Sequence, residues 1–316
     1  MSINDKILKL KNVADEFGYI FAFKTMLYNY ISVKAHYKVN PYRAYLEKYF
    51  SMYFMNIALK YKNSRIEKFD WDGKKIPVWV LWWQGEQNMP ELVRKCIQSQ
   101  KKHLDNRFEH IVLCKDNLDA YISLPKVIKE KFAKGYITVT HLSDIIRVTL
   151  LKEYGGVWMD STLYMTDKLD DHMVDADFYT NKRFFGESNK KSISSGRWSI
   201  WFMYAKPYHP LFVFLSDALS KYVNEHDTWA VYLMTDYAVN VAYKLIPSVR
   251  ISINQIEENN TKVYELQKNL NNPYDEGLFT EICQGTIVHK LTYKIALQET
   301  QHSQYTFWHY IKNDRI

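Results

Sequence analysis

Cysteine is scarce in this chain of 316 residues: Cys96, Cys114 and Cys283 are all it has, with no C-x-x-C pair among them. That excludes a disulfide framework and points to a reducing compartment. Nowhere do eighteen uncharged apolar residues follow one another, so no membrane-spanning helix is expected. The opening residues, Met1-Ser2-Ile3-Asn4-Asp5-Lys6, lack the apolar run and small-residue cleavage site of a signal peptide, and the expectation is a cytoplasmic protein. Repeats and low-complexity tracts are absent. So is any dense Lys/Arg block, because the basic residues are interspersed with acidic ones along the chain. A net charge of +7 therefore does not make nucleic acid the expected partner. Small anions such as nucleotide diphosphates, or an anionic membrane surface, suit a mildly basic protein better.

What is present is an ordinary globular composition, 47% hydrophobic and 24% charged, with room for one large domain or a domain plus an appendage. Aromatic residues make up 16%, which fits an aromatic-rich core first and a surface that stacks on flat or sugar-like ligands second.

From about Ile7 to Lys68, apolar positions recur at three- and four-residue spacing, as in Val13, Phe17, Ile20 and Phe21, and predict helices broken at Asn40-Pro41. Residues 1–75 are expected to form a helical N-terminal extension packed on a main domain of residues 76–316. A basic, aromatic surface resting against a membrane is the sharper reading of the same helices. Turn chemistry marks residues 69–77 as the linker. Val78 to Trp83 is then an apolar run of strand length, followed by Gln84-Gly85 and a predicted helix from Pro90 to His103. His110 to Cys114 gives the next strand, so the expected class is α/β with helical crossovers between parallel strands. A helical stretch from Lys115 to Lys134 breaks at Pro125, and Ile137-Thr138-Val139 reads as a short strand. The helix from Leu142 to Tyr154 stops on Gly155. Val157 to Asp160 is a buried strand. Asp177 to Asn181, Trp198 to Tyr204 and Thr286 to His289 read as further strands, with helices over 209–222 and 229–245. Residues 253–281 are polar and without clear period.

The chemistry gathers around two carboxylates. Asp144 and Arg147 share a helix face at i, i+3, which is either a local ion pair or a ribose- and phosphate-binding pair of acceptor and guanidinium. Asp160 is delivered by an apolar strand to a sheet end, the position where open α/β sheets bind ligands. There it is either a capping aspartate or a ligand of a hard divalent cation.

Ser143-Asp144-Ile145-Ile146-Arg147, Leu150-Leu151 and Tyr154-Gly155-Gly156-Val157-Trp158-Met159-Asp160 resemble the signature of the capsular polysaccharide synthesis proteins, relatives of glycosyltransferase family 32. Ile76-Pro77-Val78-Trp79, Trp82-Trp83-Gln84-Gly85 and Trp201-Phe202-Met203-Tyr204-Ala205 extend the resemblance over residues 76 to about 240. It implies a GT-A fold, a Rossmann-like mixed sheet flanked by helices, binding a nucleotide-sugar and Mn²⁺ or Mg²⁺. It also implies sugar transfer with retention. Carried onto this chain, Trp79, Trp82, Trp83, Gln84 and Trp158 line the nucleotide side, with a ring for uracil, while Asp144 and Arg147 hold ribose and phosphate.

Asp160 becomes the first member of a D-x-D metal motif whose second position is Thr162, a departure that puts the metal in doubt. His289 is the expected compensating ligand, Lys290 the group reaching the diphosphate, and Asp236 an acid facing acceptor or sugar. The implied reaction moves galactose or glucose from a uridine diphosphate sugar to a lipid-linked oligosaccharide in bacterial capsular or exopolysaccharide synthesis. It would be run by a cytoplasmic enzyme held at the inner face of the membrane. A non-catalytic nucleotide-sugar or glycan-binding protein is the alternative.

Overall fold

A computed structural model describes residues 3–34, 40–183 and 192–316 of the chain. Three helices come first: α1 (Ile3–Phe17), α2 (Tyr19–Lys34) and α3 (Pro41–Lys60). The break expected at Asn40-Pro41 is where α3 starts. The Asn40 side chain accepts from the Arg43 amide, and proline occupies the first turn, where a missing N–H costs nothing. Residues 35–39 lie outside the described part.

The central sheet has the order β2-β1-β3-β6-β5. β1 (Ile76–Leu81) pairs in parallel with β2 (Phe108–Leu113) and with β3 (Gly156–Met159). On the far side, β6 (Phe202–Ala205) runs antiparallel to β3, and β5 (Phe178–Thr180) antiparallel to β6. This is the mixed, Rossmann-like sheet that the family resemblance implies, with two antiparallel strands added to the parallel ones expected from the strand and helix spacing. All six residues of β1 and all four of β3 are buried, as continuous apolar strands must be when helices cover both faces.

One face packs Trp79, Trp158 and Met203 against α6 (Val139–Glu153), α8 (Pro210–Glu225) and α9 (Met234–Leu245). The same core takes in Leu46, Phe50 and Phe54 of α3, each fully buried. The other face packs Val78, Val80 and Val157 against α4 (Glu91–His103).

Ile137-Thr138-Val139 is not a strand. The Thr138 hydroxyl accepts from the His141 amide and caps α6, so Val139 is already helical; the cap outweighs the β-branched run. Two short strands went unanticipated in their pairing: β4 (Leu163–Met165) lies antiparallel to β7 (Val288–Lys290), far along the chain. The polar stretch 253–281 holds α10 (Pro247–Gln255) at its start, then α11 (Glu265–Asn269) and most of α12 (Glu276–Cys283).

Gly155 and Gly156 join α6 to β3 at φ of +64° and +88°, backbone that side chains disfavour. A Cβ on Gly155 would stand 2.7 Å from the Ala205 carbonyl oxygen, and one on Gly156 only 2.2 Å from that of Pro77. The double glycine lets the strand lie against its neighbours and sets Asp160 at the end of β3.

Candidate functional site

Beyond the C-terminal ends of β1 and β3 opens a cavity of about 560 Å³, within the range of small-ligand sites. Its wall includes Trp82, Trp83 and Gln84 after β1, Arg147 on α6, Trp158 on β3, Asp160 to Thr162 in the following turn, and Lys290 on β7.

At its floor four charges are joined. Asp160 accepts from Lys290 Nζ at 2.6 Å through one oxygen, and from Trp158 Nε1 at 3.0 Å and Arg147 Nη2 at 3.3 Å through the other. Burial pushes its carboxyl upward, but Lys290, and after it Arg147, outweigh that and hold it below the usual range. Its side chain remains 28% exposed, within reach of a ligand.

Arg147 Nη1 donates to Asp144 at 2.7 Å, and the guanidinium lies 4.8 Å from the centre of the Trp158 ring. Asp144 is buried and also accepts from Thr235 Oγ1 at 2.8 Å. Burial raises its pKa, with Arg147 and Thr235 opposing. A continuous chain, Thr235 to Asp144 to Arg147 to Asp160 to Lys290, thus fixes both cations.

Two buried donors on this wall, Trp82 Nε1 and Arg147 Nε, have no partner among the described residues. Buried polar groups are ordinarily satisfied, so orphaned donors in a cavity wall suit a ligand rich in acceptors.

Trp82, Trp83, Gln84, Arg147, Trp158, Asp160, Thr162 and Lys290 stand together on this wall, while Asp144 supports them from behind through Arg147. Three expected residues lie elsewhere. Trp79 is buried in the core, its Nε1 donating to the Gly155 carbonyl at 2.9 Å, and does not face a nucleobase. Asp236 lies off the cavity wall, its carboxylate accepting from Trp198 Nε1 at 3.0 Å.

His289 is the clearest correction. β7 pairs Lys290 with Leu163 and His289 with Tyr164, and successive residues of a strand face opposite ways. Since Lys290 points to Asp160, His289 turns into the core, 3.1 Å from Thr166 Oγ1 and 4.0 Å from Cys283 Sγ. Burial pushes its imidazole down to about 4.

A divalent metal on Asp160, Thr162 and His289 therefore does not fit the residues present. Both Asp160 oxygens are engaged by cations or an indole, Thr162 offers only a hydroxyl, and His289 faces away. Among the described residues no group of three His, Cys, Asp or Glu side chains could hold a metal ion.

Sequence reasoning did not single out Tyr232, Tyr264, Gln267, Tyr293 and Lys294, all on the cavity wall. The Tyr293 and Trp82 rings meet edge to face at 5.6 Å between centroids. Tyr264 and Gln267 come from the polar stretch whose lack of period gave no signal.

Asp236 supplies a test of the buried network. Burial lifts its carboxyl to about 7, with Asp144 adding to the rise and Trp198 and Arg147 opposing it. A carboxyl whose folded pKa is raised contributes its stability below the unfolded value, near 4, and loses it as pH rises toward 7. Asp236→Asn is thus expected to gain on the wild type as pH rises from about 4 to 7, by about 1.4 kcal/mol for each pH unit crossed, and to keep that advantage above. Paired thermal melts across pH 4–8 measure it, and parallel curves would show that Asp236 ionises normally.

A family model described as capsular polysaccharide synthesis protein matches residues 24–311 of the sequence. No curated protein matches it.

Proposed function

This chain belongs to the capsular polysaccharide synthesis protein family, and on that premise we propose that it is a retaining glycosyltransferase. It moves a hexose, galactose or glucose, from a uridine diphosphate sugar to a lipid-linked oligosaccharide. The observation that carries this reading is the pair of cations, Lys290 and Arg147, converging on Asp160 at the floor of an aromatic-walled cavity at the ends of parallel strands.

The donor's diphosphate needs positive charge, and Lys290 and Arg147 provide it where the bond breaks. Trp82, Trp83 and Tyr293 offer flat faces to the base and sugar. In the proposed step the bond between the anomeric carbon and the phosphate oxygen breaks, and its electron pair leaves with the diphosphate. The acceptor hydroxyl attacks from the face the leaving group vacates, and its proton passes to the departing phosphate oxygen. Asp160 holds the two cations at the spacing the leaving group meets, and Asp144 with Thr235 keeps Arg147 from swinging away.

Thermal shift and nucleoside diphosphate release, each with EDTA or Mn²⁺, test the proposal across uridine and guanosine diphosphate sugars. Saturating uridine diphosphate sugar at a hundredfold over Kd is expected to raise the melting temperature by roughly 5 °C, in EDTA as well as in Mn²⁺. Release of uridine diphosphate should persist in EDTA. No shift with any donor would overturn the assignment, and binding without release or transfer would identify a non-catalytic sugar-nucleotide binder.

A further inference from the structure

The helix α2 is apolar on two faces. Phe21 and Ala22, each 4% exposed, turn inward, with the Phe21 ring against those of Tyr45 and Tyr49. The opposite stripe is apolar as well: Tyr19 is 76% exposed, Ile20 73%, Phe23 57%, Met26 49% and Leu27 37%. Their spacing, 19, 23 and 26 beside 20 and 27, is that of one helix face. On α1, which packs against α2, Ile7 and Leu8 are exposed too. A scattered surface leucine needs no explanation, but a row of five large apolar side chains on one helix face marks an interaction surface.

Charge selects the partner. Between Phe17 and Ile66 the chain carries eight lysines and arginines and a single acidic residue, Glu47. That one acid is already engaged by Lys244. Lys24 on α2 and Lys48 and Lys60 on α3 are exposed. An apolar stripe flanked by exposed lysines on a segment with excess positive charge is the pattern of a helix lying in a lipid interface, where apolar side chains enter the acyl boundary and lysines meet headgroup phosphates. A second copy of the chain would instead bring like charges together. No helix among the described residues is long and apolar enough to cross a membrane, so the contact lies along the surface.

We propose that the solvent face of α2, with the neighbouring exposed residues of α1, docks on an anionic lipid bilayer. The proposal is independent of the sugar-transfer reading: a chain inactive toward every donor would still bind vesicles through this face.

Sedimentation of the full chain with vesicles tests it, using phosphatidylcholine alone and phosphatidylcholine containing phosphatidylglycerol. The wild type is expected to partition at least tenfold more strongly onto the anionic vesicles, and less so as salt rises. Ile20→Glu combined with Phe23→Glu should lower that binding at least tenfold while melting temperature and donor binding stay unchanged, since both side chains face solvent. Lys24→Glu with Lys48→Glu should remove most of the preference for anionic over neutral vesicles. A wild type that stays in the supernatant, or an Ile20→Glu/Phe23→Glu protein that sediments like the wild type, overturns the proposal. So does a wild-type dimer that ignores vesicles and is split by the same double substitution, which would make the face a self-association surface.

Discussion

Replacing Lys290 with methionine is expected to lower the turnover of the proposed sugar transfer by about 10²–10³, the usual loss when one preorganised charge-stabilising donor is removed. Methionine keeps most of the length and apolar stem of lysine but neither its charge nor its hydrogen bonds. Lys290 Nζ stands 2.6 Å from Asp160 and is only 22% exposed, so solvent screens it less than a charge on the open surface. Its strongest effect should come as negative charge collects on the departing diphosphate, so kcat is expected to fall more than KM for the donor rises. Arg147 remains, which keeps the donor bound and accounts for a residual rate. The Lys290→Arg protein, retaining charge with a different reach, should recover part of the loss. Steady-state kinetics with a soluble acceptor and melting curves of both variants decide the matter. A Lys290→Met enzyme within threefold of wild type would remove Lys290 from the reaction.

The largest stability effect is expected at Gly156, where alanine should leave little or no folded protein. Its φ of +88° already disfavours any side chain, and the new methyl group would lie 2.2 Å from the carbonyl oxygen of Pro77. Pro77 belongs to β1 and Gly156 to β3, the two central parallel strands, so relief requires parting the middle of the sheet. A clash of that kind belongs with the rare substitutions that cost more than about 4 kcal/mol. Gly85→Ala is the control: at a similar φ of +87° a Cβ meets nothing within 4 Å, so only the backbone conformation is penalised, by about 1–3 kcal/mol. Soluble yield and thermal melting of the two proteins compare them directly. A normally folded Gly156→Ala protein would mean that the approach of β1 and β3 is looser than described.

The regions around Lys290 and Gly156 differ in how legible they are in the sequence. The sheet's centre was readable because β1 and β3 are buried on both faces, and a strand so placed is a short unbroken apolar run bounded by turn residues. The helix between them is legible from its period and its glycine stop, but it starts at Val139, three residues before the expected Leu142, because a threonine cap and a β-branched strand look alike over Ile137-Thr138-Val139. β4 was not readable as a strand in its own right. Three residues carry no period, and Leu163–Met165 are extended because β7, more than a hundred positions away, hydrogen-bonds to them.

The candidate site divides in the same way. Asp144, Arg147 and Asp160 lie within one helix, one turn and one strand, so their convergence follows from local geometry that the sequence encodes. Local order also guarantees that His289 and Lys290, adjacent on a strand, face opposite sides of it. Which of the two meets Asp160 is another matter. That depends on the register of β7 on β4, set by how those strands fit between α4 and α11, and it gave Lys290 to the cavity and His289 to the core. The sequence by itself determined the carboxylate and the strand that carries it; only the tertiary structure decided its partner, because a one-residue shift in register exchanges a cation for a buried imidazole at no change in composition.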